Sequence, residues 1–217
     1  MSAFLAPIHS WLFNKIVSFE DIEIGLRNKY IEVYGEEGKK IIEDSKNYGE
    51  LLDRSKSLEE LIDLSNIHGW LQNKIQNAES RVAFILAEVV KKHSDEAIKI
   101  AEDVFFNSGV KDGDAAKHKE NPQNAKDMFS TINNYILEGM PCDRVQKLLI
   151  ADENVVRWIN TDCVHKSNFE KVGGDINLFY KLRFLYLQGF VNAANEKLKF
   201  YYTNNEDVYV YNIEKEN

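Results

Sequence analysis

The chain has 217 residues, 44% hydrophobic and 29% charged, enough apolar material for one good core and too little for two comfortable domains. Its net charge of −8 speaks against nucleic acid, where a basic footprint should dominate, and against an anionic membrane surface. Two cysteines make no secreted disulfide framework, and His9, Asn14 and Lys15 interrupt the apolar N-terminal run, so neither a signal peptide nor a membrane span is expected and the cytoplasm is the default.

Pro7 suits the first turn of a helix, and Leu5, Ile8, Leu12 and Ile16 fall on one face of it. Ser18 with Asp21 resembles a capping box opening a second helix that runs to about Gly35, with a short one following to about Tyr48. Ser57 with Glu60 is a further capping box. Beyond it, Leu58, Leu61, Leu71, Ile75, Val82, Leu86 and Val89 keep helical spacing almost to His93, with Gly69 a possible bend point. Ser94-Asp95-Glu96 caps a helix carrying Ile98, Ala101, Val104 and Phe105. Gly109 to Gln123, polar with two glycines and a proline, reads as a surface loop. Another helix turns Met128, Phe129, Ile132 and Ile136 inward and ends before Gly139.

The pattern then becomes β-rich. Val145–Ile150 and Val155–Asn160 flank Asp152-Glu153 as one hairpin, and Leu198–Thr203 and Val208–Ile213 flank Asn204-Asn205-Glu206-Asp207 as a second. Between them Gly173-Gly174-Asp175 caps a helix from Ile176 to about Asn195. The fold class expected is α+β: one domain over residues 1–217, helical over 1–140 and hairpin–helix–hairpin over 141–217, with helices on one face of a small antiparallel sheet.

Two features carry chemistry. Ile8-His9-Ser10-Trp11-Leu12-Phe13-Asn14-Lys15-Ile16 returns as Ile67-His68-Gly69-Trp70-Leu71-Gln72-Asn73-Lys74-Ile75, seven of nine positions identical at an offset of 59, and Glu20 with Glu79 extends the match. On a helix each His edges the apolar stripe, while each Trp shares a flank with its Asn and Lys. If the two helices pair, His9, Trp11, His68 and Trp70 either line a pocket for a ligand or metal, or satisfy their ring N–H groups within the core. Glu-x-x-His pairs, the mark of di-iron carboxylate bundles, are missing from the sequence.

The second feature is Cys142 and Cys163. A turn centred on Asp152-Glu153 sets them opposite each other at the foot of the first hairpin, and an extended chain turns His165 to the same side as Cys163. Cys142, Cys163 and His165 suit a zinc-like site with one position left for water. Alternatively Cys163 is a nucleophile with His165 as its base, or the thiols form a redox pair or are inert. Phosphate-loop, dinucleotide, His-Glu-x-x-His and Gly-x-Ser-x-Gly motifs do not occur in the sequence.

From Asp143 to Glu214 the order of hairpin, cysteine (Cys163), helix with an internal Gly189-Phe190, and closing hairpin resembles the vinyl-reductase-type small-molecule-binding domains. It is also similar to the L-2-amino-thiazoline-4-carboxylate hydrolase-like proteins. The chain departs from the first family in having no cysteines near the final hairpin. The resemblance implies a pocket for a small, partly apolar molecule between helices and sheet. The leading expectation is therefore a small-molecule or metal-binding protein. The alternatives are a hydrolase of a C–N or amide-like bond using Cys163 and His165 or a zinc-bound water, and a structural homodimer meeting through tyrosines of the last hairpin.

Overall fold

The computed structural model describes residues 5–205 and 208–216, so Glu206 and Asp207 in the second predicted turn lie outside the described residues. Its elements are α1 (Pro7–Ser45), a 3₁₀ turn (Lys46–Tyr48), α2 (Leu58–Leu61), α3 (Ile67–Lys119), α4 (Ala125–Ile132), β1 (Gln146–Ala151), β2 (Val155–Asn160), α5 (Lys166–Glu170), α6 (Ile176–Ala194), β3 (Leu198–Asn205) and β4 (Val208–Lys215). This is the expected α+β order. No helix among the described residues is long and apolar enough to cross a membrane.

The chain resolves into two compact units. One comprises Met1–Ile98, Ile136–Asp143 and His165–Ile176; the other comprises Lys99–Tyr135, Arg144–Val164 and Asn177–Asn217.

In the first unit α1 and the start of α3 lie side by side and parallel. His9 meets His68, Glu23 meets Arg81 and Tyr34 stacks on His93, so contacts advance together along both helices. The echoed residues Leu12, Ile16, Leu71 and Ile75 are all buried, as their shared apolar stripe requires. The echo also extends into the backbone. α1 bends sharply at Gly35 (φ 56°, ψ −125°) and α3 at Ser94 (φ 48°, ψ −127°), again 59 residues apart. Beyond Gly35 the chain doubles back, with Gly38 against the Tyr30 carbonyl and Ser45 beside Arg27.

Two predicted boundaries fall elsewhere. Ser18 and Asp21 lie inside α1, which runs unbroken through them. The helix begun at Ser57, where the Glu60 carboxylate accepts the Ser57 N–H (2.8 Å), stops at Leu61. A turn follows, and Asn66 opens α3 by accepting the Gly69 N–H (3.2 Å), so Gly69 sits in a first turn and bends nothing.

In the second unit the sheet order is β1-β2-β4-β3, antiparallel throughout. Val156, Trp158, Leu198, Phe200, Tyr211 and Ile213 are buried. α4 and α6 cover this face, Phe129 meeting Trp158 edge-on and Phe184 packing on Phe200 and Tyr211. The other face carries Arg157 bonded to Asn212 and Glu214 bonded to Tyr201 and Lys199.

The predicted loop at Gly109–Gln123 is mostly helix, since α3 continues to Lys119. Its glycines are seam residues. A Cβ on Gly109 or Gly113 would overlap the Tyr186 or Phe190 carbonyl of α6, and one on Gly189 would overlap the Phe106 carbonyl of α3. Absence of side chains at this crossing lets the two backbones touch. The predicted helix after Gln123 is also shorter than its apolar pattern, ending at Ile132.

Candidate functional site

The first unit concentrates buried charge: Lys15, Glu20, Glu23, Arg27, Glu79, Arg81 and His165 are all nearly sealed from solvent. Charges are tolerated there only when paired and hydrogen-bonded. Arg81 binds Glu20 (Nη2–Oε1 2.7 Å) and Glu23 (Nε–Oε1 2.9 Å) and donates to the Glu50 carbonyl (3.1 Å). Arg27 shares Glu23 (Nε–Oε1 2.9 Å), and the Leu52 N–H donates to Glu20 (3.1 Å). Burial pushes the Glu20 carboxyl upward against the opposing pull of the Leu52 N–H, Arg81 and Arg54.

Glu79, the echo of Glu20, is equally buried but has other partners. His165 donates to it from Nδ1 (2.8 Å), and the Asn168 amide donates to its second oxygen (2.6 Å). The other ring nitrogen of His165 donates to Glu138 (Nε2–Oε1 3.2 Å). Both nitrogens face carboxylates, which only accept, so the ring is an imidazolium. Burial works against that charge, but the two carboxylates outweigh it and raise the imidazole pKa to about 9.

The echoed His-Trp segments do come together. His9 Nε2 lies 3.2 Å from His68 Nε2. His9 Nδ1 accepts the Ala6 N–H (3.0 Å), so the His9 proton sits on Nε2 and His68 Nε2 accepts it. Burial and then the neighbouring His68 lower the His9 pKa. Each indole is covered by the lysine of its own segment, Lys15 at 4.0 Å from the Trp11 centroid and Lys74 at 5.3 Å from that of Trp70. Phe13 packs on Trp70 at 6.3 Å.

The hairpin does not set the two cysteines opposite each other. Its turn closes one residue later than expected, over Glu153-Asn154, because the Asp152 carboxylate accepts both the Asn154 and Val155 N–H groups (2.8 and 2.9 Å). Ala151 then faces Val156, and an irregularity between Leu148 and Ile150 shifts the register again, so that Leu148 faces Trp158. Pairing ends where Thr161 N–H meets the Val145 carbonyl, before either cysteine, and Arg144 next to that end has a positive φ (48°). Cys142 is exposed; Cys163 is half-buried, and its sulfur accepts the Tyr180 hydroxyl (3.1 Å). His165 has helical backbone angles (φ −93°, ψ −27°) at the start of α5, so the extended path assumed for it ends before that residue. Among the described residues no group of three or more His, Cys, Asp or Glu side chains is arranged to hold a metal ion.

The second unit contains a cleft of about 490 Å³ between helix ends and one end of the sheet. Lys117 from the last turn of α3, Asn121 just beyond it, Asn124 before α4, Asn154 in the β1–β2 turn, Lys197 before β3 and Lys215 of β4 line it. Asn195 ties two of these segments together by donating to the Pro122 carbonyl (2.9 Å). Sequence reasoning missed this site because its residues are ordinary polar loop and end residues from distant segments. It also missed the His165 cluster, although the matched Glu20 and Glu79 were a visible clue. No family model, curated protein or solved structure matches the chain.

Proposed function

We propose that the protein is a cytoplasmic small-molecule-binding protein whose ligand occupies the cleft between helix ends and sheet in the second unit. The observation that carries this reading is the cleft itself, of a volume suited to a small metabolite. Lys117, Lys197 and Lys215 line it alongside Glu153 and Glu196, and Pro122, Ala194 and Leu198 add an apolar floor. That lining favours a small organic anion with an apolar portion.

The bonding of His165 favours this branch over metal binding or hydrolysis. An imidazolium donating from both nitrogens has no lone pair for zinc and cannot take a proton from a thiol or water. The sulfur of Cys163 receives a hydroxyl proton from Tyr180, which does nothing to strip its own.

Isothermal titration of the full chain with a panel of small organic acids tests the proposal. At least one acid should bind, and the double variant Lys197→Glu with Lys215→Glu should weaken it at least tenfold. Binding indifferent to both charge reversals, or no binding across the panel, would refute it.

A further inference from the structure

The cleft of the second unit is lined by charge of both signs: Lys117, Lys197 and Lys215 stand beside Glu153 and Glu196. Among the described residues none of these five side chains enters an ion pair or a hydrogen bond. Elsewhere in the same unit opposite charges do close on each other, Lys199 on Glu214 (3.0 Å) and Lys181 on Glu102. The segments that carry the cleft charges are tied through the backbone. Ala125 N–H donates to the Glu153 carbonyl (3.0 Å), Lys215 N–H to the Asn154 carbonyl (2.9 Å) and Glu216 N–H to the Lys197 carbonyl (2.8 Å). The Asn195 side-chain oxygen accepts the Lys197 N–H (3.0 Å), so Glu196 and Lys197 sit in a tied turn. Fixed attachment points lower the ordering cost of binding.

The negative side of the lining is more than two carboxylates. α6 ends at the cleft, at Ala194, with no basic residue in its last turn, so its carbonyl end adds partial negative charge next to Glu196. A plain anion gains nothing from Glu153, Glu196 and a helix carbonyl end, whereas a ligand that also bears an ammonium group does. We infer, on the reading that the cleft is the ligand site, that its ligand is an amino acid with two acidic groups. The carboxylates meet the lysines, and the ammonium meets Glu153, Glu196 and the end of α6. The lining has one positive charge in surplus, which the single net negative charge of such a ligand balances. Pro122 and Leu198 cover its methylene chain.

Isothermal titration of the full chain at pH 7 with matched pairs tests the inference: aspartate against succinate, glutamate against glutarate, and 2-aminoadipate against adipate. In at least one pair the amino compound should bind about fivefold or more tighter than its diacid, although the diacid carries the greater negative charge. Glu153→Gln with Glu196→Gln should erase that preference by weakening the amino compound and leaving the diacid as tight or tighter, with an unchanged far-ultraviolet circular dichroism spectrum. Glu153 is tied through its backbone carbonyl, so the substitution spares that bond. N-acetylation of the amino compound should cost as much as the double variant. Diacids that bind as tightly as their amino counterparts, or a preference that survives the double variant, would overturn the inference and leave the cleft as an anion site. No binding by these six while other acids bind would also overturn it; no binding by any acid would take the cleft reading with it.

Discussion

Glu20 and Glu79 occupy equivalent positions in the two copies of the internal repeat, and both are buried. Their cations differ. Glu20 is held by Arg81, charged at any pH a protein meets, with Arg54 at its margin; Glu79 is held by His165, whose charge can be lost. The repeat thus places the same acid twice, and the neighbouring chain decides whether its partner is permanent or titratable. The bends differ in a similar way: one position of positive φ is filled by Gly35, the other by Ser94.

The largest break in this comparison should come from Arg81→Met. It leaves Glu20 and Glu23 buried without their main cation and should cost about 3–5 kcal/mol, read as a lower urea midpoint. His165 comes next. Its proton is held more tightly in the folded chain than in the unfolded one, so its stabilisation is complete below about pH 6.5 and is lost as pH rises through about 9. The loss should amount to about 3 kcal/mol. Urea unfolding at pH 6 and pH 9.5 should show this decline in the wild type and a flatter profile in His165→Gln; equal slopes would mean the imidazolium is not what stabilises Glu79.

The bends make a finer test. Gly35→Ala puts a Cβ where the backbone resists one, although the space around it is open, and should destabilise by about 1–2 kcal/mol. Ser94→Gly relieves the same conformation in the other copy and should raise the thermal midpoint, by about 1 kcal/mol or less in free energy. Should both substitutions destabilise, the hydroxyl of Ser94 contributes more than its backbone costs. The smallest effect should come from Lys74→Met, which removes the cation from the Trp70 face at a cost of about 0.5–1 kcal/mol; thermal scans alongside Lys15→Met would compare the two copies directly.

Much of the helical part was legible. Identical His, Trp, Asn and Lys at one offset announced a repeat, because helices that pack alike keep alike side chains at like positions. The hairpins were legible from β-rich runs around polar turns. The register of the first was not, since it depended on which N–H groups the Asp152 carboxylate would capture. Gly109 and Gly113 misled for a physical reason: glycine breaks an isolated helix but is also what a close helix crossing requires. Nothing near His165 in the chain foretold Glu79 and Glu138, because both reach it from remote segments.

The sequence by itself determined the α+β order, the duplicated helix with its apolar stripe, and the position of the paired glutamates. These follow from local periodicity and from side-chain identity, which act over a few residues. Tertiary structure alone decided that His9 would bond to His68, that His165 would be a buried cation, that the strand pairing of the first hairpin would end before either cysteine, and that polar ends of distant segments would gather around a cleft. Each of these depends on which remote groups must satisfy one another once water is excluded, and no short-range pattern encodes that choice.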